Sequence, residues 1–268
     1  VHAPIRSVAV AVLAAAALCS GCTAPPDTPA APPPVAEPAV SAEATTQGAV
    51  SSAPAAPIVL LDPGHNGGNG ANPAALRRQV PDGRGGTKSC NTTGSATNAG
   101  YPEHAFTWDL TQRVRTRLEA AGVRVVLTRQ DDDGVGPCVD ERGAAGGRAG
   151  AVAAVSLHAD GSGPSARGFH VAHADPPVHG TGPESLRLAT ALRDGLRSGR
   201  FATADYIGQD GLDARDDLAG LNLATVPTAL VEAGNMRNAD DAAVLTSAEG
   251  RDRYAEAISA GVLAYLGR

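Results

Sequence analysis

Three stretches of this 268-residue chain end an apolar run on a residue that can bind a metal or move a proton. In Leu60-Leu61-Asp62-Pro63-Gly64-His65 the run meets a Pro-Gly turn and then an imidazole. Val155-Ser156-Leu157-His158-Ala159-Asp160 repeats the order of apolar strand, histidine and acid, and Leu230-Val231-Glu232-Ala233-Gly234 ends on a carboxylate. Buried strands deliver such residues to the rim of a sheet, where open α/β folds keep their chemistry. A lone histidine after a strand is more often a turn residue; the repetition makes His65 and His158 candidate metal ligands. Glu103, after Pro102, opens a helical pattern. A glutamate there also has a plain structural reason, since it complements the positive end of the helix dipole.

A catalytic zinc takes three His or carboxylate ligands and leaves its fourth position to water. His65, Glu103 and His158 make up such a set. Zinc lowers the pKa of water towards neutrality and polarises a carbonyl, which suits amide hydrolysis. A separate carboxylate must then take the proton and pass it to the leaving amine. Glu232 is the strand-end glutamate left for that role.

The elements that would position these groups follow from periodicity. Phe106, Leu110, Val114 and Leu118 recur every four residues after Pro102-Glu103, and Gly122 supplies the stop. Residues 123–128 read as a strand, 139–149 as a helix weakened by glycines, 152–157 as the strand carrying His158, and 168–172 as a further strand. A helix over 184–196 presents Leu188, Leu192 and Leu196 on one face. Residues 228–231 form the strand ending at Glu232, and helices over 239–245 and 249–266 close the chain. This alternation predicts a single α/β domain, with a mostly parallel twisted sheet and helices on both faces. Residues 66–100 are polar and glycine-rich, with no helix of any length expected; a loop that long is functional or pinned. Asp131-Asp132-Asp133 lacks EF-hand spacing and reads as a solvated turn.

Composition narrows the remaining choices. Formal net charge is −6 and the chain has no Lys/Arg block, so nucleic acid is not an expected partner. Arg6 followed by an apolar run over 8–18, too short to cross a bilayer, reads as a signal peptide ending near residue 22. Export follows, to the periplasm or cell wall. Ser20-Gly21-Cys22 resembles a lipobox; Cys22 is then either an acylated anchor to the outer face of the cytoplasmic membrane, or removed with the signal. Residues 23–57, rich in Ala and Pro, read as a disordered linker, and 58–268 as the catalytic domain. The two cysteines beyond the signal, Cys90 and Cys138, are expected to form a disulfide. A thiolate zinc site is the weaker alternative, because neither belongs to a Cys-x-x-Cys pair.

Taken in order, the 61–65 block, Glu103, the 156–160 block and the stretch from Pro227 through Glu232 to Asn238 resemble the zinc-dependent N-acetylmuramoyl-L-alanine amidases of the amidase-3 family. Arg84-Gly85-Gly86-Thr87-Lys88, Tyr101-Pro102-Glu103-His104 and the cysteine pair resemble the actinobacterial, mycobacterium-type members. The resemblance implies a phosphorylase/hydrolase-like sheet and peptidoglycan or muropeptide as substrate, cut between N-acetylmuramic acid and L-alanine of the stem peptide. It makes His65, Glu103 and His158 ligands of one catalytic Zn2+ and Glu232 the catalytic base. Where that family often has Gly-Phe after the base, Gly234 is followed here by Asn235-Met236. A monomer is expected, with no membrane contact beyond a lipid at Cys22.

Two other functions share some of these residues. A zinc carboxypeptidase or endopeptidase on stem peptides has the same metal chemistry. A non-catalytic wall-binding module with structural zinc needs a fourth ligand, His104 or His170, and has no use for Glu232. His104 adjoins Glu103, but neighbouring helical residues point about 100° apart. His170 faces either groove or core, and His173 and His179 read as solvated. Asp62 and Asp160 either orient ligands or cap turns, and Arg167, Asp210 and Arg215 are either stem-peptide contacts or surface charge.

Overall fold

The computed structural model of the protein describes residues 55–268. The signal peptide, Cys22 and nearly all of the expected linker lie outside the described residues.

The chain runs through β1 (Ile58–Pro63), α1 (Pro73–Leu76), β2 (Gln79–Pro81), β3 (Thr87–Ser89), α2 (Glu103–Ala120), β4 (Arg124–Leu127), α3 (Val139–Arg148) and β5 (Ala153–Asp160). It continues with β6 (His170–Ala174), α4 (Gly182–Ser198), β7 (Leu212–Arg215), α5 (Ala219–Asn222), β8 (Thr228–Asn235), α6 (Ala239–Thr246) and α7 (Ala248–Leu266). Six strands form one sheet in the order β4-β1-β5-β8-β6-β7, and β2 pairs with β3 in a separate ribbon. The strands β4, β1, β5 and β8 are parallel; β6 runs antiparallel to β8 and takes β7 with it.

Alternation along the strands sorts the two faces. Val59, Leu61, Val155, Leu157, Val171, Ala229 and Val231 bury one face in the main core, against Phe106, Leu110, Val114 and Leu118 of α2, the leucines of α4, and Ile258 and Val262 of α7. Each such Val, Leu, Ile or Phe side chain contributes about 1.5–3 kcal/mol by leaving water. The opposite face is apolar at its lower end, where Leu60 and Ala154 pack against Ala145 and Val226. Towards the C-terminal ends of the strands it turns polar, through Asp62, Ser156, His158 and Glu232. The helices α3 and α5 cover only part of this face, and a cavity of about 240 Å3 lies beside them, reaching His65 and His158.

Within 66–100, expected to be loop, the chain makes α1 and the β2–β3 ribbon. These are elements of three or four residues, too short for periodicity to reveal. Cys90 is joined to Cys138 as expected.

Candidate metal and catalytic site

β1 and β5 are in parallel register, with Pro63 opposite Leu157, so the residues following them arrive side by side at the same rim. β8 sets Glu232 directly beside His158. The third element, α2, begins at this rim. Pro102 precedes it without offering a side-chain cap, and Glu103 is its first residue. The Glu103 side chain is not spent on the helix dipole alone. It is 3% exposed, and its Oε1 lies 3.2 Å from His65 Nε2 and 3.0 Å from His158 Nδ1.

These three residues form the one possible metal cluster found among the described residues, with ligand atoms within 4.8 Å of one another. Ligands at 2.0–2.1 Å from a tetrahedral zinc stand about 3.4 Å apart, close to the two contacts of Glu103. His65 has its Nδ1 3.2 Å from the Thr92 carbonyl, which can only accept, so the ring proton belongs there and Nε2 keeps its lone pair for a cation. Two imidazoles and one carboxylate therefore fit the ion. Burial opposes charge on Glu103, yet the flanking His65 and His158 outweigh it and hold the carboxyl well below its usual range. Burial likewise opposes charge on His65, but Glu103 raises it above the usual histidine value.

The backbone that delivers His65 is held on every side. His65 itself has φ 59°, a left-handed conformation that costs a non-glycine residue about 1 kcal/mol or more. Arg142 of α3 donates to the His65 carbonyl at 2.7 Å, to the Pro63 carbonyl at 2.8 Å and to Asp62. Arg129 donates to the Pro63 and His104 carbonyls at 3.0 Å, and its burial, partly offset by Asp132, pulls its pKa down to about 10. Asp62 also accepts from Thr128 and Ser156. Burial would raise its pKa, but Arg142 and the two hydroxyls bring it to about 2. Glu103 is clamped by Ser95, whose N–H donates to Oε2 at 2.7 Å and whose carbonyl accepts from the Glu103 N–H at 3.0 Å.

Arg142, Arg129, Thr92 and Ser95 carry no local sign of these tasks in the sequence. Asp62 orients the site indirectly, by holding the arginine that holds His65. Asp160 does something else, accepting from the Tyr206 hydroxyl and its neighbour Gly161. Asn235 is fully buried and donates to the Gly163 and Ala166 carbonyls, fixing the loop that follows Asp160.

Glu232 projects from β8 on the polar face, with its Oε2 sealed from solvent and unpartnered. Burial first, and then the nearby Glu103 and Asp160, push its carboxyl well above the usual range. The other histidines lie elsewhere. His104 is tied to Asp132 at 2.8 Å and His170 faces Asp213, so neither joins the cluster. His173, expected to be solvated, is 9% exposed within β6, because that strand extends beyond its predicted end. In the Asp131–Asp133 turn Asp131 and Asp133 are exposed as expected, while Asp132 is half-buried and pairs with Arg129. Asp210 is held by Arg193 and Arg197 of α4, and Arg215 pairs with Asp213 and Asp217.

A mostly parallel sheet that gathers two histidines and a carboxylate at one rim, with a further glutamate a strand away, has the layout of an α/β hydrolase with a site that could hold a metal ion. Residues 59–264 match the Amidase_3 family model, described as N-acetylmuramoyl-L-alanine amidase, and the chain belongs to that family. It is 51% identical over 225 residues to N-acetylmuramoyl-L-alanine amidase Rv3717 of Mycobacterium tuberculosis, covering 81% of this chain and 92% of the relative. The structure is similar to the crystal structure of the amidase Ami1 from Mycobacterium smegmatis, with TM-score 0.77 and 52% identity over 80% of this chain and 98% of that one. Apo Ami1 from Mycobacterium abscessus gives TM-score 0.76 and 51% identity over 79% and 99%.

Proposed function

We propose that His65, Glu103 and His158 hold one zinc ion and that Glu232 is the general base of this peptidoglycan amidase. The enzyme cleaves the amide between N-acetylmuramic acid and L-alanine of the stem peptide. The observation that carries the metal assignment is the position of Glu103 Oε1, buried between two imidazole nitrogens at 3.0 and 3.2 Å. Zinc, when bound, polarises the scissile carbonyl and makes water a better nucleophile at neutral pH.

The chain's own groups do the rest. Thr92 fixes the His65 ring so that Nε2 faces the ion. Arg142 and Arg129 hold the backbone from Pro63 to His65, so the ligand does not swing when substrate enters. Glu232 takes the proton from the attacking water and delivers it to the nitrogen of L-alanine as the C–N bond breaks. Burial, with Glu103 and Asp160 nearby, raises its pKa above the usual carboxylate range, which makes the carboxylate a stronger proton acceptor than an exposed one. The cavity beside α3 and α5 reaches His65 and His158 from a mostly apolar lining that includes Leu60, Ala154 and Leu230.

Action on peptidoglycan places the enzyme at the cell wall or periplasm, in keeping with an N-terminal export signal; acylation at Cys22 would tether it to the membrane. The test of the metal assignment is zinc stoichiometry together with turnover. Protein stripped with a chelator is inactive and regains its rate with one equivalent of zinc, whereas His65→Ala neither binds zinc tightly nor recovers. Full activity in zinc-free protein would overturn the assignment.

A further inference from the structure

Two complementary facts meet on the polar face next to the base. β6 and β8 are antiparallel, and His170 stands directly opposite Glu232 in their register. Directly opposed residues share a face, with Cβ atoms about 4.5–5.5 Å apart. His170 is 2% exposed, and its Nδ1 is sealed from solvent with no hydrogen-bond partner; Glu232 Oε2 is in the same condition. Leaving a buried polar atom unsatisfied costs about 1–3 kcal/mol, so two such atoms on directly paired residues call for a shared explanation.

The ring's other end indicates what that is. Asp213 Oδ2 lies 3.8 Å from His170 Nε2, and Arg215 holds Asp213 from the next position but one along β7. At 3.8 Å the carboxylate makes no hydrogen bond to Nε2, but its charge favours the tautomer with the proton on that nitrogen, which leaves Nδ1 as an acceptor. Glu232 Oε2 is also an acceptor. One water molecule between them can donate a hydrogen to each, satisfying both atoms. Glu103, Asp160, Asp213 and Arg215 complete the charged surroundings of Glu232.

We propose that His170 is a positioning residue for the base: through one buried water its Nδ1 fixes Glu232 Oε2, so that the other carboxylate oxygen stays aimed at the attacking water. His170 touches neither substrate nor metal in this role, and acts only through Glu232. The inference rests on the assignment of Glu232 as base, and its test keeps the two apart.

The experiment compares His170→Leu, His170→Asn and Glu232→Gln in the full zinc-loaded chain, with kcat and KM measured on a muramyl-peptide substrate and zinc content on each variant. Asparagine keeps an acceptor close to the place of Nδ1, and leucine keeps only the bulk. The expected result is a kcat at least 10-fold lower for His170→Leu, with KM and zinc content little moved, and a kcat within about 3-fold of the parent for His170→Asn. Equal kcat in parent and leucine variant, equal losses in both His170 variants, or a loss confined to KM would each overturn the proposal. If Glu232→Gln is as active as the parent, the base assignment fails; if it is inactive while His170→Leu runs at full rate, this inference alone fails. Should the leucine variant not fold, a high-resolution crystal structure of the parent decides: a water within hydrogen-bond distance of both Nδ1 and Oε2 supports the proposal, and its absence in clear density overturns it.

Discussion

Asp62 and Arg142 form a buried ion pair at 2.5 Å, and the same guanidinium holds the carbonyl of His65. Asp62 lies three residues before that histidine on β1, and Arg142 comes from α3 on the covering layer. The pair thus links strand, helix and the turn that carries a ligand. Removing one member leaves the other charge buried without compensation, which costs about 3–5 kcal/mol. Asp62→Asn is therefore expected to lower unfolding stability by that amount and to reduce zinc affinity, measured by denaturant titration and zinc competition.

The same pair sets part of the acid sensitivity. The folded-state pKa of Asp62, about 2, lies below its ordinary value of 3.8. A depressed carboxylate contributes stability above the unfolded pKa and loses it as pH falls through the folded one. The contribution is roughly 2 kcal/mol, present above about pH 4 and lost between there and pH 2. In Asp62→Asn that share of the pH dependence disappears; an unchanged acid unfolding curve would contradict it.

Gly64 is required for a different reason. A Cβ at this position would run into the His158 imidazole. Gly64→Ala is expected to displace that ligand, lowering zinc occupancy and turnover at least 10-fold while the far-UV circular dichroism stays that of the parent. Normal zinc content in the alanine variant would show that the contact can relax.

The Cys90–Cys138 bridge closes a loop between residues 48 apart and ties the segment holding Thr92 to the start of α3. The Cys90→Ser, Cys138→Ser double variant is expected to lose about 2–4 kcal/mol of stability. It also binds zinc more weakly, because Asn91 donates to the Pro137 carbonyl across this junction and Thr92 orients His65. Calorimetry and zinc competition on the two proteins check both effects.

The parts of this molecule that could be read in sequence were those specified locally. An apolar run followed by Pro-Gly or by His-Ala-Asp announces a strand end, and a four-residue repeat of Phe106, Leu110, Val114 and Leu118 announces a helix. The cysteine pair followed from there being two left to join. What stayed hidden depends on long-range packing. The antiparallel turn of β6, and with it the approach of His170 to Glu232, depends on which edge of the sheet the chain returns to. Arg142 sits in a glycine-weakened helix, where an arginine reads as a surface charge until Asp62 arrives from 80 residues away. Asp160 and Asp62 looked alike as acids beside strand ends; only their partners, Tyr206 for one and Arg142 for the other, separate them.

The most direct test of the central claim is mass spectrometry of muropeptides after incubation with the zinc-loaded protein and with its Glu232→Gln variant. The parent should release free stem peptide beginning at L-alanine and leave peptide-free N-acetylmuramic acid. The variant, with zinc still bound, should release less by a factor of at least 10². Equal release by both proteins would remove Glu232 from the chemistry and contradict the account.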